Sequence, residues 1–370
     1  MTIKNSKLKE IYMKLPKPEP SAGLEAYTTE LKAVLALDPR KKENYEKYKA
    51  LNRRDADIHY LPVKMDIENV SRCNYACSMC IVKTWKNGRR ASDMTLDTFK
   101  KLIDEQYGLV EIKLNGLGEP TLQGDVFFDM IAYARSKRIW VRITTNASLL
   151  HLNENYKKLI DSGVNEIDIS MDGADQQTYE SIRKNGRFET VAKNCKLINN
   201  YVASLGICRT KMWTVVQENN FNNLSQFVPL ASTLGFKHLV FSLNLHGWAD
   251  ADLLKENLSK VIENKLEEKK LFDLVADGKK AGVRVSFWTV SDKFDASSIH
   301  TLCPWPFERA VVTSDSRVVP CCMIGNPDAY EIGRGIQTTF SDIWFGKEYQ
   351  KFRQDHLSGN IPVKCKLCYK

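Results

Sequence analysis

The chain has 370 residues, 43% of them hydrophobic and 27% charged. That is the balance of a folded globular protein large enough for two domains, or for one α/β domain with an appendage. Disordered and collagen-like classes are excluded, and no run of ~18 apolar residues marks a membrane span. The net charge of +9 is spread along the chain rather than gathered in a basic arm, so no nucleic-acid partner is expected.

The N-terminus MTIKNSKLKE lacks the apolar stretch of a secretory signal, so a cytoplasmic location is expected. Residues 1–60 read as an N-terminal helical extension, with Ser21 capping a helix that runs to Leu37 and Pro39 opening another. From 61 to 250 short β-branched runs alternate with amphipathic stretches, and candidate strands fall at 63–70, 109–115, 140–146, 166–172, 209–216 and 238–243. Six βα units in a row predict a parallel sheet. Within them Ile167, Ile169 and Met171 alternate with Asp168, Ser170 and Asp172, so one face is apolar and the other polar. A sheet covered on both faces would instead be near-continuously apolar, so a curved sheet with helices outside and a polar cavity inside is expected.

A charged helix at 251–276 and a strand at 283–290 make up a linking segment, 251–299. Residues 300–370 hold five of the ten cysteines, a hairpin turning at Ser314–Ser316 and a helix over 340–356. So small a unit needs a bound metal to be stable.

Three cysteines, Cys73, Cys77 and Cys80 in CNYACSMC, follow the first strand. Thiolates at this spacing can hold three corners of a four-iron cluster and leave one iron open, whereas a closed zinc site needs a fourth ligand. The motif resembles the cysteine loop of the radical S-adenosylmethionine (SAM) superfamily. That resemblance implies a partial (β/α)6 TIM-like barrel, a SAM-binding 4Fe-4S cluster, and hydrogen abstraction from substrate carbon by a 5'-deoxyadenosyl radical. It also implies SAM contacts at Met79, at Gly116, Gly118 and Glu119 in NGLGEP, and at Asn146, Ser170 and Arg183.

The stretch VVPCC, DIW and CKLC resembles the family's C-terminal SPASM/twitch extension. With no cysteine after Cys368, the likeness is to the single-cluster twitch form of 2-deoxy-scyllo-inosamine dehydrogenase. It implies a second, auxiliary 4Fe-4S cluster on Cys303, Cys321, Cys365 and Cys368, closed to substrate and serving as an electron relay. Cys322 stands next to Cys321 and competes for that place, and a zinc ribbon is the other reading of the four cysteines.

The reaction expected is net oxidation or epimerisation of a hydroxylated metabolite such as a sugar or cyclitol. His246 or Asp172 is the candidate base, and Cys195 or Cys208 the candidate hydrogen-atom donor for an epimerase. The alternative is maturation of a ribosomally made peptide, by epimerisation or cross-linking. A non-enzymatic zinc protein on nucleic acid is the remote third. The partners expected are a small polar substrate or peptide and a flavodoxin- or ferredoxin-type reductant, with no membrane.

Overall fold

The computed structural model describes residues 6–262, 265–290, 293–335 and 339–369. Its centre is one curved mixed sheet in the order β10-β9-β8-β1-β2-β3-β4-β5-β6-β7. The strands are β1 Lys64–Ile67, β2 Glu111–Leu114, β3 Trp140–Thr145, β4 Glu166–Ser170, β5 Thr210–Val215, β6 His238–Ser242, β7 Arg284–Trp288, β8 Arg309–Val312, β9 Arg317–Val319 and β10 Gly333–Arg334. Every neighbouring pair from β1 to β7 is parallel, as crossover helices require. The α/β barrel expected from the sequence is present, and its sheet runs past six strands. β7 from the linking segment continues it beyond β6, and β8 from the C-terminal segment pairs parallel with β1, Lys64 opposite Arg309 through Ile67 opposite Val312.

The two-residue alternation sorts the side chains. Ile112, Leu114, Val141, Ile143, Ile167 and Ile169 are fully buried, while Lys113, Arg142, Thr144, Asp168 and Ser170 from the same strands line an internal cavity. The apolar face takes the helices and the polar face turns inward.

The extension closes the N-terminal ends of the strands. Its helices are Ser6–Lys14, Leu24–Leu37 and Pro39–Leu51. Asp38 caps the third by accepting from the Arg40 and Lys41 amides, with Pro39 in the first turn. Ser21 does not cap the second; Gly23 holds that position, and the buried Ser21 hydroxyl has no partner. Tyr27 donates to Glu111 at 2.8 Å and Tyr48 to Glu308 at 2.7 Å, while Val34 packs on Val63 and Val110.

The single helix expected at 251–276 is two, Ala251–Leu258 and Glu268–Lys280. The chain leaves the first to bury Ile262 and Leu266, and the Lys260 carbonyl accepts from the Glu218 amide. Likewise 340–356 divides into Phe340–Trp344 and Lys347–Leu357, with Gly346 at the start of the second.

Candidate metal and cofactor site

Cys73, Cys77 and Cys80 lie in the loop leaving the C-terminal end of β1. Two backbone bonds strap this loop to the chain after β4: the Ala76 amide donates to Lys184 O at 3.1 Å and the Ser78 amide to Ile182 O at 2.9 Å. Arg183, between those carbonyls, is thereby held against Cys77. Burial works against its charge, but Asp172 and Cys77 outweigh that and hold its pKa above the ordinary arginine value. Arg183 Nε donates to Asp172 Oδ2 at 2.7 Å and the Val215 amide to Oδ1 at 2.7 Å. Both oxygens of the fully buried Asp172 are thus engaged.

Gly116 and Gly118 have a steric reason. A Cβ on Gly118 would sit 2.5 Å from the carbonyl oxygens of Val70 and Arg72, and one on Gly116 2.3 Å from Glu68. Both glycines let the β2 turn nest under the cysteine loop. Glu119 is buried with its carboxylate satisfied: Oε1 accepts from Thr121 Oγ1 at 2.7 Å and Thr145 Oγ1 at 2.6 Å, and Oε2 from the Asn146 amide at 2.7 Å. Asn146 donates to Asn74 in the cysteine loop at 3.0 Å. Met79 and Ser170 complete this wall of the cavity.

Cys303 precedes β8, Cys321 follows β9, and Cys365 and Cys368 lie on the short 3-10 turn Val363–Cys368. The Cys303 amide donates to the Tyr369 hydroxyl at 3.0 Å, and Phe294 N to Cys368 O at 2.9 Å. Cys321 interacts with Cys365 and Cys368, and Cys303 with all three. Cys322 stands instead beside Asp66, Lys113 and Arg309.

Both thiol sets open onto one cavity of about 590 Å³. β1 and β8 are parallel, so the loop after β1 and the chain before β8 lie at opposite ends of one strand pair, with the polar strand residues between them. Among these, Asp66, Lys113, Arg142 and Asp168 come from four adjacent strands. Arg142 reaches Glu166 at 3.2 Å and Glu111 at 3.6 Å, and Arg309 reaches Asp66 at 3.2 Å. Burial works against ionised Glu111, yet Arg309, Lys64 and Arg142 bring its pKa down to about 2. Asp168 Oδ1 is buried without a partner, and its other oxygen lies 3.8 Å from Arg142. Trp213, Trp248, Trp288 and Trp305 make the aromatic walls. His246 packs edge-on to Trp248 and Trp288, and burial lowers its pKa to about 4.

Cys195 is fully buried in the helix Phe188–Ser204. Cys208 precedes β5, at the opposite end of the barrel from the first cysteine loop. Neither lines the cavity. Sequence reasoning missed Glu68, Arg90, Asn74 and Lys113; the inward register of β2 marks Lys113, and no sequence signal marks the others.

The residues fit iron-sulfur groups. Burial and Cys77 push the Cys80 thiol up to about 12, and burial with Cys368 does the same to Cys365. A cationic metal core reverses that penalty by favouring thiolate. Among the described residues no three Cys, His, Asp or Glu side chains gather on a single-ion site. Thiols fronting a shared void suit a multi-iron core better than the tight tetrahedron of zinc.

The sequence matches the radical SAM superfamily over residues 68–212 and the SPASM iron-sulfur cluster-binding domain over residues 303–369. It is 28% identical over 232 residues to mycofactocin maturase MftC of Mycolicibacterium smegmatis, covering 62% of this chain and 56% of that one. It is 25% identical over 319 residues to the tungsten-containing aldehyde ferredoxin oxidoreductase cofactor-modifying protein of Pyrococcus furiosus, covering 78% and 82%. The chain thus spans little more than half of the maturase. Among solved structures, Streptococcus suis SuiB bound to precursor peptide SuiA has a TM-score of 0.63 at 14% identity, over 84% of this chain and 70% of that one, a likeness of fold. None of the described helices is long and apolar enough to cross a membrane. The two matched domains imply SAM and 4Fe-4S clusters as cofactors. The chain carries a radical SAM domain followed by a SPASM iron-sulfur cluster-binding domain.

Proposed function

We propose that the chain matures a peptide, taking a hydrogen atom from one residue and leaving it epimerised or cross-linked. Bound at Cys73, Cys77 and Cys80, a 4Fe-4S cluster with SAM supplies the carbon-centred radical for that abstraction. Arg183, Met79 and Ser170 line the cavity where SAM would lie, and Glu119 and Asn146 hold the loop ends in place. Cys303, Cys321, Cys365 and Cys368 would hold one auxiliary cluster at the other end.

The observation that carries this reading is the cavity between the two thiol sets. Its strand face carries both signs, carboxylates Asp66 and Asp168 beside cations Lys113 and Arg142, and the unpartnered Asp168 oxygen calls for a donor from a ligand. A group that both donates and accepts, such as a peptide amide, suits this lining. The tryptophan walls suit an apolar side chain. The likeness to a maturase supports the same reading.

Oxidation of a hydroxylated metabolite has less support, because it needs a base. Asp172 has committed both oxygens, and a histidine with a pKa near 4 is a poor proton acceptor at neutral pH. Epimerisation would need a thiol other than Cys195 or Cys208.

The test is anaerobic incubation of reconstituted protein with SAM, dithionite and a short peptide encoded beside its gene. Formation of 5'-deoxyadenosine together with a peptide lacking two hydrogens supports cross-linking. An unchanged mass that gains a single deuterium in heavy water supports epimerisation. Peptide-independent cleavage with no peptide product overturns the proposal.

A further inference from the structure

The turn that carries Cys365 and Cys368 comes to the surface, and lysines ring it. Lys364 and Lys366 on the turn are exposed, as is Lys293. Lys293 is held there because the next residue, Phe294, bonds to Cys368 and pairs with Tyr369. Exposed Lys17 stands close enough to Lys293 for the two charges to repel.

Among the described residues, Lys17, Lys293 and Lys364 meet rings and carbonyls rather than carboxylates. Lys293 lies 5.6 Å from the Phe294 ring and Lys364 5.5 Å from the Tyr330 ring. Lys364 also donates to Ala329 O and Lys17 to Tyr12 O. Asp355, on the same side, is taken up by Lys351 at 2.9 Å. Amid the lysines Val363 is 79% exposed, the largest exposure among the described large hydrophobics. Lysines that make no ion pair among the described residues, set around a small apolar spot, are the complement of an acidic protein surface, and such a field raises association rates more than affinity.

We propose that this lysine rim is the docking surface for a small acidic one-electron carrier protein, which it brings over Cys365 and Cys368. The carrier loses one electron to the iron site behind those thiols, and no bond is made or broken. The contact is small and transient, as redox encounters are. An acidic peptide would need its charges only at the cavity mouth, where Lys293 and Lys364 stand. Lys366 and Val363 do not line that cavity, and their exposure favours the carrier. The inference rests on reading the C-terminal thiols as an iron-sulfur site and not on the peptide reaction.

The experiment measures binding of oxidised flavodoxin to the reconstituted holoenzyme by calorimetry, with iron content determined in the same samples. We expect binding at low salt that fades toward about 0.5 M salt. K364E/K366E should weaken it about tenfold with iron retained. K196E, on the outer helix Phe188–Ser204, should leave it unchanged. Equal affinity for all three proteins, or binding indifferent to salt, overturns the proposal. Displacement of flavodoxin by a glutamate-rich decapeptide at equal affinity also overturns it and assigns the rim to a peptide. The iron counts keep loss of the metal site distinct from loss of docking.

Discussion

Adjacent thiols at 321 and 322 part company because the chain bends at Pro320 after β9 and enters a turn at Cys322, closed by the Ile324 and Gly325 amides donating to Cys321 O. One joins Cys365 and Cys368; the other meets Asp66, Lys113 and Arg309. Replacing Cys321 by Ala should therefore remove about four of about eight irons per chain, whereas Cys322→Ala should keep them. Iron and sulfide analysis after reconstitution distinguishes the two, and equal loss in both would mean that the pair shares the role. Gly118 is as tightly specified. Gly118→Ala forces a methyl against the Val70 and Arg72 carbonyls, an overpacking that costs about 1–3 kcal/mol. It should lower the melting temperature and the iron retained by the first cysteine loop. The spacing of the cysteines and the glycines of NGLGEP were legible in the sequence because they are local. The pairing of Asp172 with Arg183 was not, since it depends on where a loop eleven positions away returns.

Between elements, Arg90 joins three of them. It reaches Glu68 at the end of β1 at 2.5 Å and Asp315 in the C-terminal hairpin at 2.9 Å, and Glu68 also accepts from the Ser314 amide at 3.1 Å. Glu68 and Arg90 are both buried, so Arg90→Ala leaves an uncompensated carboxylate and should cost about 3–5 kcal/mol. The unfolding midpoint in urea reads this, and a shift under 1 kcal/mol would show that the strap is idle. Histidines add a pH dependence. Burial brings His246 to about 4, and burial with the Lys211 and Arg284 charges does the same to His238, against 6.5 in the unfolded chain. The unfolded chain binds more protons between those values, so stability falls as pH drops from 6.5 toward 4. The slope is about 1.4 kcal/mol per histidine per pH unit. His238→Asn should flatten the stability-pH curve in that window, while leaving the neutral region nearly unchanged.

Over the whole molecule, the alternating strands carried the fold class, because two-residue periodicity follows directly from an inward polar and an outward apolar face. The edges of the sheet were not legible. β8 is a short apolar run like many others, and only its partner β1, more than two hundred residues away, makes it part of the barrel. The same holds for the extension: its helices can be read from caps and spacing, but not that Tyr27 reaches Glu111 beneath the barrel. Tyr27→Phe removes that hydrogen bond and should cost roughly 1–3 kcal/mol, measurable as a lowered midpoint. An unchanged midpoint would mean that water replaces the hydroxyl.

The parallel pairing of β1 with β8 has a consequence for distance. Four paired residues rise roughly 13 Å, and the two cysteine sets are fastened beyond the two ends of that ladder. Their separation is thus measured out by backbone hydrogen bonds, as a ruler would set it, rather than by how two domains happen to rest against each other. Any reaction that needs both centres finds them at a span that hinge motion cannot alter, and a single residue added within β8 would change that span and turn Arg309 out of the cavity at one stroke.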